Sequence, residues 1–297
     1  MATAGAVAVT SAPPSNSFKV RLIPALLGGA FWLAASPAWA QSAAPAGEIK
    51  GTAWQHTSAT LSASVANGAL VLPLAATGNG VYSRTFKDAP AITGRFPVVI
   101  FLHGSSGLGL KAIGEWQVWL ASLGVASLAP DSFALPDRIT YTSPVDKATY
   151  EKIHALRASE IDATLAALLK QPWVDPARLA LAGTSEGAVA VARYTGSEFA
   201  GRIVYSWSCE ANYFVTDPKN AFEADKPVLN VISSVDPFFS PTNLWLGNSS
   251  ATGHCADALM ENKRATIVLI PGAPHTLINL PQATSATTAF VMEALKP

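Results

Sequence analysis

The sequence predicts an α/β fold built on a mainly parallel, doubly wound sheet with helices on both faces. Three observations carry that expectation. From residue 96 onward, short apolar runs alternate with longer runs of helical periodicity, the pattern of strands joined by crossover helices. The clearest run, PVVIFL at 97–102, is continuously apolar and rich in β-branched and aromatic residues, as a strand buried on both faces requires. Third, the pentapeptide Gly183-Thr184-Ser185-Glu186-Gly187 sits where an apolar run ends at Ala182 and a helix-forming run begins. A G-x-S-x-G pattern in a strand, sharp turn, helix context holds its serine in a strained backbone, and side chains at the glycine positions would collide.

The chain has 297 residues, 49% of them hydrophobic and 13% charged, and a formal net charge of zero. That length suits one large domain with a substantial core. A neutral balance without a basic run leaves no electrostatic footprint for nucleic acid, and it does not favour acidic substrates. No internal repeat is visible.

Residues 1–40 read as a targeting segment. Lys19 and Arg21 form a positive flank, LIPALLGGAFWLAA at 22–35 is an apolar core, and Ala38-Trp39-Ala40 is a small-x-small cleavage site. The apolar run is shorter than the roughly 20 residues that span a bilayer. No Cys stands at the cleavage site to take a lipid, and no twin-arginine pair precedes it. The expectation is cleavage after Ala40, no membrane attachment afterwards, and a periplasmic or secreted domain over 41–297. An uncleaved anchor is the alternative. Export makes the only two cysteines, Cys209 and Cys255, an expected disulfide, with two separate buried thiols as the alternative. A metal site is not expected, because His254 beside Cys255 lacks a second paired ligand.

Residues 41–94 are rich in Ala, Ser, Thr and Gly. Within them 68–74 reads as a strand, 78–80 as a turn, and 81–86 as a strand pairing back antiparallel at a sheet edge. The strand at 97–102 ends in His103-Gly104-Ser105-Ser106-Gly107-Leu108. A helix at 113–123 follows, then a strand at 125–128 and a loop reaching residue 138. A long amphipathic helix is expected at 147–169, and the segment 133–150 is long enough to cover a site. After the pentapeptide helix, strands are expected at 202–207, 226–232 and 265–270, and a closing helix at 285–295.

In such a sheet, ligand chemistry sits in the loops at the carboxyl ends of the strands. Asp236 lies just past the strand at 226–232 and His275 just past that at 265–270. Ser185, Asp236 and His275 therefore occur in that chain order at strand ends. A serine hydroxyl is a weak nucleophile near neutral pH and needs a base, and imidazole takes and returns a proton there. A carboxylate orients the ring. Glu210, after the 202–207 strand, is the rival acid, and Asp131 reads as a loop anchor. Of the other histidines, His56 lies in the poorly patterned segment, His154 on a helix, His254 in a polar loop, and His103 shapes a turn. The backbone N–H groups of Glu186 and Ser105 are the expected oxyanion donors. Trp207, Tyr213, Phe214, Phe238 and Phe239 read either as an apolar substrate pocket or as packing around the disulfide.

On PVVIFLHGSSGL, LALAGTSEG, VISSVDPFF and PGAPHTLI, the chain resembles the α/β-hydrolase superfamily, and within it the dienelactone hydrolase-like esterases, from about residue 96 to the C-terminus. The resemblance implies a mostly parallel eight-stranded sheet, no metal or organic cofactor, and hydrolysis of a small-molecule carboxylic ester through an acyl-enzyme. Dienelactone hydrolase proper carries cysteine where this chain has Ser185. It also holds its substrate carboxylate with arginines, one of them after the catalytic histidine. No arginine follows His275, and Arg138 is the candidate to replace one of them. A general ester fits better than dienelactone. A non-catalytic exported binding protein, or a peptidase or acyltransferase on the same three residues, are the other readings, and the oligomeric state is left open.

Overall fold

The computed structural model describes residues 45–296, so the expected targeting segment lies outside the described residues. The elements in chain order are β1 (Ile49–Lys50), α1 (Ser58–Ala66), β2 (Ala69–Leu72), α2 (Leu74–Thr77), β3 (Tyr82–Thr85), β4 (Phe96–Leu102), α3 (Lys111–Ser122) and β5 (Ala126–Ala129). They continue with β6 (Thr140–Tyr141), α4 (Lys147–Leu168), β7 (Val174–Thr184), α5 (Glu186–Arg193), β8 (Gly201–Tyr205), β9 (Val228–Ser233), β10 (Ala265–Ile270) and α6 (Pro281–Ala294).

Eight strands form one sheet in the order β10-β9-β8-β7-β4-β5-β2-β3. The six from β10 to β5 run parallel, and β2 and β3 add an antiparallel hairpin at one edge, as the sequence predicted. The chain passes from β4 outward to β5 and then returns to the other side of β4 as β7. That reversal is the topological switch point, where the loops after β4 and β7 diverge at the carboxyl edge.

Strand alternation divides the core between the two faces. Val98, Ile100 and Leu102 of β4 pack with Tyr150, Ile161 and Leu165 of α4 and Val189 of α5. Val99 and Phe101 turn the other way, onto Ile113, Trp116 and Leu120 of α3 and Phe290 of α6. Both faces of β4 are therefore covered, which is why its sequence is apolar without interruption.

The elements depart from the sequence reading most clearly at α1, β1 with β6, and α4. Helix α1 was not expected in the Ala/Ser/Thr segment. Its cap is a Thr57/Thr60 box, in which Thr60 N donates to Thr57 Oγ1 and Thr57 N to Thr60 Oγ1, with threonine where Glu or Gln usually signals such a start. Strands β1 and β6 form a separate two-residue antiparallel ribbon that ties segment 133–150 to the N-terminal part of the domain. Helix α4, expected to be amphipathic, buries His154, Arg157, Glu160 and Thr164 beside its apolar residues. Its polar residues are thus partly interior.

Cys209 and Cys255 form the expected disulfide, joining the loops after β8 and β9 across 46 residues of chain. In the chain-entropy account a loop of that size contributes up to about 4 kcal/mol.

His154 generates a pH prediction. It is buried on α4, its Nε2 donates to Phe214 O at 3.2 Å, and Nδ1 has no partner among the described residues. Burial pushes its pKa down to about 4, against an ordinary 6.5. In the unfolded chain the same group titrates near its ordinary value, so between these limits the unfolded state binds a proton that the folded state refuses. Stability therefore falls as pH falls from about 6.5 towards 4. His154→Gln, which keeps a donor but does not titrate, is expected to flatten the slope of Tm against pH over that window. An unchanged slope would remove His154 as its source.

Candidate active site

The turn from β7 into α5 is built by close approach. A Cβ on Gly187 would lie 2.3 Å from Leu102 O and 2.6 Å from His103 O, so the first turn of α5 rests directly on the carboxyl end of β4. A Cβ on Gly183 would lie 2.8 Å from the Gly187 carbonyl group. Between them Ser185 adopts φ 53° and ψ −118°, a backbone region that L residues rarely occupy. Its N–H donates to Tyr205 O at 3.0 Å, which fastens the turn to the end of β8. The Ser185 side chain is part-exposed, whereas the rest of the turn is buried.

Asp236 and His275 meet. His275 Nδ1 is 2.7 Å from Asp236 Oδ2, and Asp236 Oδ1 accepts from the backbone N–H groups of Phe238 and Phe239 at 2.9 and 3.1 Å. Asp236 is fully buried, while the His275 side chain is 21% exposed, so the carboxylate is fixed and the ring still reaches solvent. An ionised carboxylate only accepts, so Nδ1 carries the hydrogen and the Nε2 lone pair is left free. Glu210 is elsewhere, accepting from Thr252 N, Thr252 Oγ1 and Gly253 N.

No hydrogen bond joins Ser185 to His275, but the end of β8 links their backbones. Tyr205 O accepts from Ser185 N, and the next residue, Ser206, donates its Oγ to His275 O at 2.6 Å. Ser233 Oγ, at the end of β9, donates to Ala273 O at 2.6 Å. The histidine loop is thus held from two strand ends, through serines that the sequence reading did not single out. Each is a polar residue at the end of an apolar strand, which is the signal that marks it.

The loop after β4 lies against the turn. A Cβ on Gly104 would sit 3.4 Å from Ser185 Cβ, placing the backbone of 103–105 beside that side chain. The Glu186 N–H opens α5, where the first helical N–H groups have no partner within the helix. Among the aromatic residues, Phe238 stands edge-on to the His275 ring at 4.7 Å and is part-exposed. Trp207, Tyr213, Phe214 and Phe239 are buried around one another, with Trp207 edge-on to Phe239 at 4.9 Å.

Arg138 does not point to a substrate. It is buried, and its Nη2 donates to Glu186 Oε1 at 2.6 Å. Glu186 itself is fully buried, although it stands in the first turn of α5. Burial raises its pKa, but Arg138 and then Arg157 outweigh that and hold the carboxyl below its ordinary range. His103 is buried and neutral, held well below its ordinary pKa by burial and then by the Arg157 charge.

Among the described residues there is no cluster of three or more His, Cys, Asp or Glu that could hold a metal ion, and no helix long and apolar enough to cross a membrane.

No protein-family model and no curated protein matches the chain. Solved structures do. A protein described as a dienelactone hydrolase from Klebsiella pneumoniae subsp. pneumoniae MGH 78578 superposes with a TM-score of 0.51 at 16% identity, over 76% of this chain and 97% of that one. A dienelactone hydrolase-like promiscuous phosphotriesterase from metagenomic libraries gives 0.48 at 21% identity, over 69% and 87%. Est1E from Butyrivibrio proteoclasticus gives 0.46 at 18%, over 77% and 93%. The chain has the α/β-hydrolase fold.

The glycine contacts give opposite expectations at two positions. Gly187→Ala is expected to destabilise by about 3 kcal/mol, because the atoms in its way are backbone carbonyls that do not rotate aside. Gly114→Ala, in open space on the exposed face of α3, is expected to stabilise by roughly 0.5–1 kcal/mol. Chemical denaturation of both variants checks this, and equal midpoints would refute the packing account.

Proposed function

We propose that this chain is an exported serine hydrolase that cleaves a small-molecule carboxylic ester through an acyl-enzyme. Ser185 is the nucleophile, His275 the general base and then acid, and Asp236 the carboxylate that orients the ring. The observation that carries the reading is the 2.7 Å contact of His275 Nδ1 with a buried Asp236, at strand ends flanking the strained Ser185 turn. The free Nε2 lone pair suits removal of the Ser185 proton as the hydroxyl attacks a carbonyl. The tetrahedral oxyanion then takes hydrogen bonds from Glu186 N–H and Ser105 N–H, each worth about 3 kcal/mol of transition-state stabilisation. His275 returns the proton to the leaving alcohol, and water reverses the sequence on the acyl-enzyme.

Phe238 beside His275 offers the acyl or alcohol group an apolar contact, backed by the packed Trp207, Tyr213 and Phe239. The targeting-like residues 1–40 and the Cys209–Cys255 disulfide support export.

Two measurements test this. A fluorophosphonate label followed by peptide mass spectrometry is expected to leave its adduct on Ser185 of the folded protein, and a panel of esters of varied acyl length is expected to be turned over by the wild type. Ser185→Ala is expected to lose turnover by a factor on the order of 10⁴ or more. An unlabelled Ser185, or equal turnover by both proteins, would sink the reading. For the acid, Asp236→Asn is expected to cost roughly 10⁴ in kcat, while Glu210→Gln leaves it within about twofold. The reverse order would move the role to Glu210.

A further inference from the structure

The residue after the nucleophile carries a carboxylate that the hydrolytic reading leaves unused. Glu186 begins a closed ring of buried contacts. Arg138 Nη2 donates to Glu186 Oε1 at 2.6 Å, and Arg138 Nε donates to Ser132 Oγ at 2.7 Å. Ser132 N donates to His103 Nε2 at 3.2 Å. Arg157 Nη1 lies 3.1 and 3.2 Å from the two ring nitrogens of His103, and 3.5 Å from Glu186 Oε1, which closes the ring. The side chains of Arg138, Arg157 and Glu186 are at most 1% exposed, and His103 is fully buried.

The ring fixes one tautomer of His103. Nε2 accepts from Ser132 N–H, so it carries no hydrogen, and in the neutral ring Nδ1 does. Nδ1 then donates to Gly104 O at 2.7 Å. Protonation of His103 would remove the acceptor for Ser132 and place a third cation beside Arg138 and Arg157.

The consequence lies in the peptide plane. Gly104 C=O and Ser105 N–H belong to one planar trans peptide group and point in opposite directions. A bond that holds the carbonyl oxygen of Gly104 therefore sets where the N–H of Ser105 points. The same loop backbone sits against Ser185 Cβ.

We propose that Glu186 is a positioning residue whose buried carboxylate, through Arg138, Arg157 and Ser132, holds His103 against Gly104 O and so aims the Ser105 N–H at the oxyanion. One residue thereby couples the two halves of the oxyanion hole, its own N–H supplying one donor and its side chain orienting the other. This rests on the serine-hydrolase reading, from which it is separable by experiment.

The test compares His103→Asn, His103→Phe and Glu186→Gln, with rates expressed per active site titrated by fluorophosphonate. Asn places an amide where Nδ1–H stood and can still hold Gly104 O, whereas Phe keeps the ring and its volume but holds nothing. His103→Phe and Glu186→Gln are each expected to lower kcat and the phosphonylation rate by about tenfold or more with KM little changed, since a lost oxyanion donor acts in the transition state. His103→Asn is expected to be faster than His103→Phe. If the ring serves packing alone, Phe equals or exceeds Asn, and the proposal falls. It falls equally if the losses stay below tenfold or lie in KM alone. Glu186→Gln leaves two buried arginines short of an anion; should it not fold, the Glu186→Gln/Arg138→Gln pair, which restores the charge balance, replaces it with the same expectation. A wild type that takes no label at Ser185 sinks the hydrolase reading itself, whereas a labelled wild type with unaffected variants sinks only the coupling.

Discussion

The contact on which the site depends is the rest of α5 upon the carboxyl end of β4. Gly187 meets Leu102 O and His103 O at distances that leave no room for a Cβ, and Gly183 meets Gly187 in turn. That approach has three consequences. It forces Ser185 into a positive φ, which lifts its side chain out of an otherwise buried turn. It brings the first N–H of a helix beside the loop that follows β4. It also places both at the point where the strand order reverses, at the carboxyl edge of the sheet. Strain of about 1–3 kcal/mol at one such residue is held by the packing of both faces of β4 and β7.

The buried charges beneath this turn need a separate explanation. Glu186, Arg138, Arg157 and Glu160 are all removed from water, and Glu160 Oε1 further contacts His56 Nε2 at 3.2 Å. Apolar residues of similar volume would serve stability as well as a buried ion pair or better. What apolar packing would not supply is direction. A guanidinium donates along fixed lines, and those of Arg138 run to the Glu186 carboxylate and to the Ser132 hydroxyl. The two acids and two arginines match in number, and their contacts hold three loops in register.

Much of this arrangement was legible in the sequence because it follows from periodicity and chain order. The continuous apolar run marked β4, the largely apolar runs marked β9 and β10, and the residues just past β9 and β10 yielded Asp236 and His275, which the structure brings to 2.7 Å. The edge hairpin of β2 and β3 also lay where the turn at 78–80 placed it. What stayed hidden depends on long-range partners. Arg138 and Glu186 are 48 residues apart, and nothing local distinguishes a loop arginine that reaches water from one that a buried carboxylate draws inside. The same holds for α4, where His154, Arg157 and Glu160 break the apolar pattern and each has a partner on another element. Helix α1 was hidden for a different reason. Its threonine cap and its Ser- and Ala-rich composition carry little of the apolar periodicity on which such readings depend.

The histidine side of the site is held by another principle. Its loop has no close-packed glycine contact like that of the Ser185 turn, and its position comes from braces between strand ends. Ser206 and Ser233 fasten the carbonyls of His275 and Ala273. Behind them Asn230, a polar residue inside the buried strand β9, donates to Val204 O and Trp207 O and accepts from Cys255 N. Cys255 is in turn bonded to Cys209, so the loop after β8 and the loop carrying Asp236 are tied together covalently and by hydrogen bonds. The Ser185 turn is thus set by sterics within a few residues, and the Asp236–His275 contact by links spanning many. A site drawn from separate strand ends needs both, because close packing fixes a turn but does not fix the distance between two loops.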